Sequence, residues 1–218
     1  MIMTETEKLY NEDPYMRRFE ATVVSIDGNE VALDRTAFYP EGGGQVGDTG
    51  LIGGVRVADT QIRDGRVVHV LEAPPGFGAG DAVQGEIDWE RRHRIMRLHS
   101  AAHIMEHFLH RELGEIARLG SRVDDEKDRA DYAYEGRLPA DALMRVEEAA
   151  NRLIAEDREI AIRLDPRRPG IRIWSCGGIE MPCGGTHVRG TGEIGAIRLR
   201  RRNPGRGVER VETALAEG

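Results

Sequence analysis

Hydrophobic positions change their period once along this chain, near Trp89. Before it, apolar residues come in short, loosely alternating runs broken by turn signals, the pattern of β-strands. Residues 19–26 alternate and meet Asp27-Gly28-Asn29, a hairpin turn, with 30–33 as the returning strand. Gly53-Gly54 and Asp64-Gly65 mark further turns among apolar runs at 51–52, 55–57, 61–62 and 67–71. A loop at 74–78 precedes a closing strand over 81–87. Short strands at this spacing predict a small β-barrel over residues 1–88.

After Trp89 the period becomes helical. Leu98, Ala101, Ala102, Met105, Phe108, Leu109 and Glu112 define one face of a first helix. Residues 120–135 read as a loop and a strand, with the acidic run 124–128 as a solvated turn. Residues 139–158 read as a second amphipathic helix whose buried face is Val146, Ala149, Ala150, Leu153 and Ile154. Strands follow at 160–164 and 171–174 around a turn at 166–170. A strand at 194–202, a turn at 203–207 and a last strand at 208–214 complete the pattern. The expected fold class is α+β: the small barrel, then an α+β domain over 89–218.

Composition narrows the class. A chain of 218 residues with 39% hydrophobic and 32% charged positions reads as a soluble globular protein. No apolar run is long enough to span a bilayer, and the N-terminus lacks the pattern of a signal peptide, so the expected location is cytoplasmic, away from membranes. The net charge of −7 argues against a tight, non-specific grip on RNA. It leaves room for a local basic surface. Arg198, Arg200 and Arg202 fall on one face of the predicted strand at 194–202, with Ile197 and Leu199 on the other.

Candidate chemistry sits in three places. His99 and His103 lie at i and i+4, so both imidazoles point the same way from the first helix. His107 and His110 continue the series, so the helix alone does not say which pair binds. No H-E-x-x-H glutamate is present, which argues against a metalloprotease. Cys183-Gly-Gly-Thr-His187 offers a thiol and an imidazole across a glycine turn. Taken together, His99, His103, Cys183 and His187 present three nitrogens and one sulfur, a set that suits one zinc ion. Cys176 reads as a small strand or loop residue. The third place is Thr36 to Gln45, where Gly42, Gly43 and Gly44 read as a wide loop or as a place for close backbone approach to a ligand, and Gln45 carries both a donor and an acceptor. The Lys-Ser/Thr end of a P-loop is missing, so no nucleoside triphosphate site is expected.

Several of these segments resemble a known family. His99-Ser-Ala-Ala-His103, Gly120-Ser-Arg-Val-Asp-Asp-Glu-Lys127, residues 183–195 and Gly207-Val-Glu-Arg-Val211 are similar to the editing domain of alanyl-tRNA synthetase. Residues 36–50 resemble the glycine-rich segment of the same enzymes. The length resembles the free-standing AlaX-type editing proteins in their medium-length form. The likeness begins near residue 17 and runs to the end of the chain. It implies a small N-terminal barrel followed by a zinc-binding editing domain related to the second additional domain of threonyl-tRNA synthetase, with His99, His103, Cys183 and His187 as ligands. There is no room for an aminoacylation core, so no ligase activity is expected. The implied activity is hydrolysis of the ester at the 3′ end of tRNA(Ala) charged with serine or glycine. The synthetase pocket cannot reject glycine, which is smaller, nor strongly reject serine, which only adds a hydroxyl. A second site must then demand the hydroxyl. Thr36 and Gln45 are the expected sensors, glycine-loop N–H groups the oxyanion donors, and Arg198, Arg200 and Arg210 the tRNA contacts. Glu209 departs from the family, which carries a basic residue there. The competing expectations are a non-catalytic, zinc-stabilised tRNA-binding module and a zinc hydrolase of small amino-acid esters.

Overall fold

The computed structural model describes residues 5–205 and 207–216. They divide into two compact units, Met1–His93 and Arg94–Gly218. In the first, β1 (Glu7–Lys8) is followed by β2 (Arg18–Asp27), β3 (Glu30–Leu33), β4 (Arg35–Thr36), β5 (Gly50–Ile52), β6 (Val55–Arg63), β7 (Arg66–Leu71) and β8 (Ala82–Ile87). Six of these close into a ring of paired strands, in the order β2-β3-β7-β6-β5-β8. The hairpin turn at Gly28, with φ of 61°, and those at Gly53-Gly54 and Gly65 stand where the turn chemistry puts them. The ring encloses Phe19, Val31, Leu33, Phe38, Ile52, Val57, Leu71 and Ile87, all buried. Gly85 is required by this packing: a Cβ there would lie 2.3 Å from the Phe19 ring.

The helix α1 (Trp89–Leu113) crosses the division between the units. After it come β9 (Arg118–Val123), β10 (Asp128–Ala133), α2 (Ala140–Ala155), β11 (Ile160–Leu164), β12 (Arg172–Cys176), β13 (Ile179–Pro182), β14 (Ile197–Gly205) and β15 (Val208–Leu215). They form a four-stranded sheet, β14-β15-β10-β9, and a three-stranded one, β11-β12-β13. Met105 and Leu109 of α1, Val146 of α2, Ala130 and Tyr132 of β10 and Val211 of β15 make one buried cluster. The helix α2 buries Ala142, Val146, Ala150 and Ile154 at near-helical spacing.

The structure differs from the sequence reading at identifiable places. Residues 120–135 hold two strands, β9 and β10, around a turn in which the Asp124 carboxylate accepts the Glu126 and Lys127 N–H groups. Asp128, read as part of a solvated turn, is 2% exposed because it opens β10 on the covered face. Glu112 is exposed, not part of the buried face of α1. β14 runs through Gly205, past the predicted turn start at 203, with an irregular register after Arg202. β13 is a strand of four residues that the apolar pattern does not indicate.

Candidate metal centre

Two elements bring the centre together. The helix α1 presents His99 and His103 one turn apart, at a depth where nearly every side of the helix is covered. β13 ends at Pro182 and releases the chain into the glycine turn that carries Cys183 and His187. One ligand atom from each of these four residues lies within 4.8 Å of the others. The Cys183 Sγ is 3.4 Å from His99 Nε2 and 3.2 Å from His187 Nε2. The ring centroids of His99 and His187 are 4.4 Å apart, and His103 is 4.9 Å and 5.0 Å from them. The helix spacing left the choice among four histidines open; the fold selects His99 and His103. His107 and His110 line a neighbouring cleft of about 740 Å³ with Glu106, Arg111, Arg118 and Met181.

The environment suits a metal ion. His103 is 5% exposed, and neither of its ring nitrogens has a hydrogen-bond partner among the described residues. Two orphaned polar atoms in one buried ring are unusual unless a ligand completes them. Trp174, fully buried, packs against that ring at 5.0 Å. Burial, with the Arg118 charge adding to it, pushes the His99 pKa down to about 4. Burial lowers His103 and His187 strongly, so all three imidazoles are neutral and hold free lone pairs near neutral pH. Burial pushes the Cys183 thiol up, against the Gly185 N–H and the charges of Arg172 and Arg118. A cation among these four residues would reverse that and favour the thiolate.

Ser100, between the two histidines of the helix, escaped the sequence reading. Its hydroxyl donates to Met96 O at 2.9 Å. It therefore meets His187 Nδ1, 3.1 Å away, as an acceptor, and also accepts the Val188 N–H at 3.4 Å. This puts the His187 proton on Nδ1 and leaves Nε2 bare toward Cys183. His187, at the end of its loop, is thus held on both sides and 3% exposed, while Cys183 is the most accessible of the four.

The other expected residues belong to other elements. Thr36 is fully buried in the first unit. His69 Nδ1 is 3.0 Å from Val31 O and donates to it, so Nε2 is the acceptor for the Thr36 hydroxyl at 2.8 Å. Thr36 Oγ also accepts the Phe38 N–H at 3.1 Å. Gly42 and Gln45 exchange two backbone hydrogen bonds of 3.0 Å, and Gly43 and Gly44 have φ of 59° and 86°. The triple glycine is therefore a tight two-residue turn rather than a wide loop. Gln45 is fully buried behind it. Asp48, just beyond, pairs with Arg92 in a fully buried ion pair whose guanidinium also reaches Ala37 O at 2.7 Å.

The basic strand is largely neutralised. Arg198 meets Glu147 at 2.7 Å, Arg202 meets Glu212 at 3.3 Å, and Arg210 takes both oxygens of Asp131 at 2.6 and 2.8 Å. Glu209, the departure from the family pattern, is buried and clamps Arg201. Arg200 is exposed, with no ion pair among the described residues.

Comparison with known proteins adds an independent line. Residues 4–91 match the family described as tRNA synthetases class II (A), and residues 171–212 match the threonyl and alanyl tRNA synthetase second additional domain. The alanyl-tRNA editing protein AlaX-M of Pyrococcus horikoshii is 40% identical, over 96% of this chain and 98% of its own length. The alanine–tRNA ligase of Ignicoccus hospitalis is 38% identical over 89% of this chain, and that of Pyrococcus abyssi 37% identical over 99% of it. The chain spans about a quarter of those ligases, 24% and 26% of their lengths. Among the described residues, no helix is long and apolar enough to cross a membrane.

Proposed function

The chain belongs to the alanyl-tRNA editing family, and from that premise we propose that it is a zinc-dependent deacylase that removes serine or glycine from tRNA(Ala). The observation that carries this reading is the meeting of His99, His103, Cys183 and His187 around the orphaned nitrogens of His103. Tetrahedral zinc, with Zn–S near 2.3 Å and Zn–N near 2.0–2.1 Å, needs sulfur and nitrogen ligands roughly 3.5 Å apart. The separations of 3.4 and 3.2 Å between Sγ and two imidazole nitrogens are close to that edge, and all four ligand atoms lie within 4.8 Å of one another.

The chain's own residues have distinct tasks in this reading. His99, His103, Cys183 and His187 hold the ion, and Ser100 sets the tautomer of His187. A bound zinc ion supplies Lewis-acid polarisation of the ester carbonyl or of a water beside it. Thr36 and Gln45 serve as the sensors of the serine hydroxyl. With the Thr36 proton spent on His69, Thr36 has an acceptor lone pair to give, which matches a substrate O–H and offers nothing to alanine's methyl group. Each buried polar group that alanine strands costs about 1–3 kcal/mol, enough for roughly 5- to 150-fold discrimination.

One observation favours a second reading. All four ligands come from the protein and three are buried, the signature of a closed, structural zinc site. The chain would then be a zinc-stabilised tRNA-binding module. Deacylation of Ser-tRNA(Ala), Gly-tRNA(Ala) and Ala-tRNA(Ala), with and without a zinc chelator, separates the two. Zinc-dependent release of serine with alanine spared is expected. No release from any substrate while tRNA stays bound would establish the binding module.

A further inference from the structure

Resting on that reading, we propose that the acceptor end of the tRNA is held by the arginine-rich turn between β11 and β12, not by the basic strand β14. Residues 163–172 contain four arginines, Arg163, Arg167, Arg168 and Arg172, against one acid, Asp165, a formal +3 in a chain of net charge −7. A cluster of this sign on an acidic protein is where a polyanion gains most, because the rest of the surface repels it.

Its position in the fold decides which basic surface matters. In the three-stranded sheet, Leu164 pairs with Arg172 and Ile173 with Pro182, so the turn and the end of β13 lie at the same end of the sheet. Cys183 N–H donates to Arg172 O at 2.9 Å. The metal loop therefore leaves the sheet directly beside the turn. A cleft of about 400 Å³ runs from Arg163, Arg167 and Arg168 to Met181 and Pro182, adjoining the first ligand of the loop. An ester at the 3′ end that reaches the centre brings its nearest phosphates to this edge.

The turn is also built to present its charge. Asp165 accepts the Arg167 N–H at 2.9 Å and the Arg168 side chain at 2.7 Å, and Asp165 N–H closes onto Ile171 O at 2.8 Å. Asp165 thus organises the turn and pairs with Arg168, and it leaves Arg167 uncovered. Arg163 is tied to Glu180, but Arg167 is exposed and has no ion pair among the described residues. On β14 and β15, Arg198, Arg201, Arg202 and Arg210 each face their own carboxylate, and Arg200 is exposed with no ion pair among the described residues. Phosphate binding by any paired arginine, Arg163 and Arg168 included, must first break its pair, so what favours the turn is its place beside the glycine loop that carries Cys183.

The test is the salt dependence of tRNA binding by the zinc-loaded protein, measured by fluorescence anisotropy with uncharged tRNA(Ala) as the probe. The double variant Arg167→Ala/Arg168→Ala is compared with wild type, with folding and zinc content checked alongside. Losing two phosphate contacts to single-stranded or duplex RNA should flatten the slope of log K against log salt by about 1.4–1.8. That corresponds to roughly a seven- to twelve-fold smaller loss of affinity between 50 and 200 mM salt. An unchanged slope and affinity overturns the proposal, as does the same flattening produced by Arg200→Ala instead. The milder Arg167→Gln, which keeps the stem and removes only the charge, should give about half the change in slope. Wild-type protein that binds through this turn yet releases no amino acid would sink the deacylase reading and leave the surface standing.

Discussion

Replacing Ser100 with Ala should lower zinc affinity by about 5- to 150-fold, while the metal-free protein loses only the long hydrogen bond from the Val188 N–H, about 1 kcal/mol. The magnitude follows from one hydrogen bond. In the native protein His187 Nδ1–H points at Ser100 Oγ, 3.1 Å away, because that hydroxyl already donates to Met96 O. Without the hydroxyl and without metal, the neutral imidazole can move its proton to Nε2, toward Cys183 Sγ, while the Val188 N–H loses its 3.4 Å acceptor with or without metal and so cancels from the zinc affinity. With zinc on Nε2 the proton must stay on Nδ1, in a site 3% exposed with no acceptor left. The penalty for a stranded buried donor, about 1–3 kcal/mol, therefore falls on the loaded state. It is the size expected when an outer partner of a metal-bound histidine is removed. Competition with a chromophoric chelator measures the affinity, and thermal unfolding of the stripped protein measures the stability. Ser100→Thr keeps the hydroxyl and should recover most of the affinity. An Ala variant with native zinc affinity would refute the orienting role.

Three other perturbations test separate parts of the structure. His103→Ala removes the ligand whose nitrogens are both orphaned, and should abolish zinc retention and serine release together, read by metal analysis and by deacylation. Burial, with the Glu106 charge adding, lifts Asp128 to about 8, so the folded protein keeps a proton that the unfolded chain releases above its usual value of 3.8. Stability then falls as pH rises from about 4 to 8, by roughly 4 kcal/mol at pH 7, and Asp128→Asn should flatten that slope in urea unfolding curves. Asp48→Ala strands the fully buried Arg92 guanidinium and should cost about 3–5 kcal/mol in denaturant unfolding, with part of the loss recovered by Asp48→Ala/Arg92→Met.

Much of the architecture was legible in the chain because it depends on neighbours. The period of two before Trp89, the helical period after it and the glycine turns are local properties, and the ring of strands, α1 and α2 follow from them. The cluster of four candidate ligands was legible for the same reason: His99 and His103 share a helix face by spacing alone, and Cys183 and His187 share a turn. What the chain left open was every choice made by residues far apart in sequence. Whether His99 and His103 or the later histidines bind depends on a strand that arrives 84 residues on. Ser100 gained its role only when His187 came beside it. Asp128 looked like one more solvated acid until β15 covered it, and the β14 arginines looked free until Glu147, Glu209 and Glu212 met them. Periodicity reports which face of an element is buried. Which charge meets which across that face, and whether a polar group finds a partner there, is decided when the elements pack.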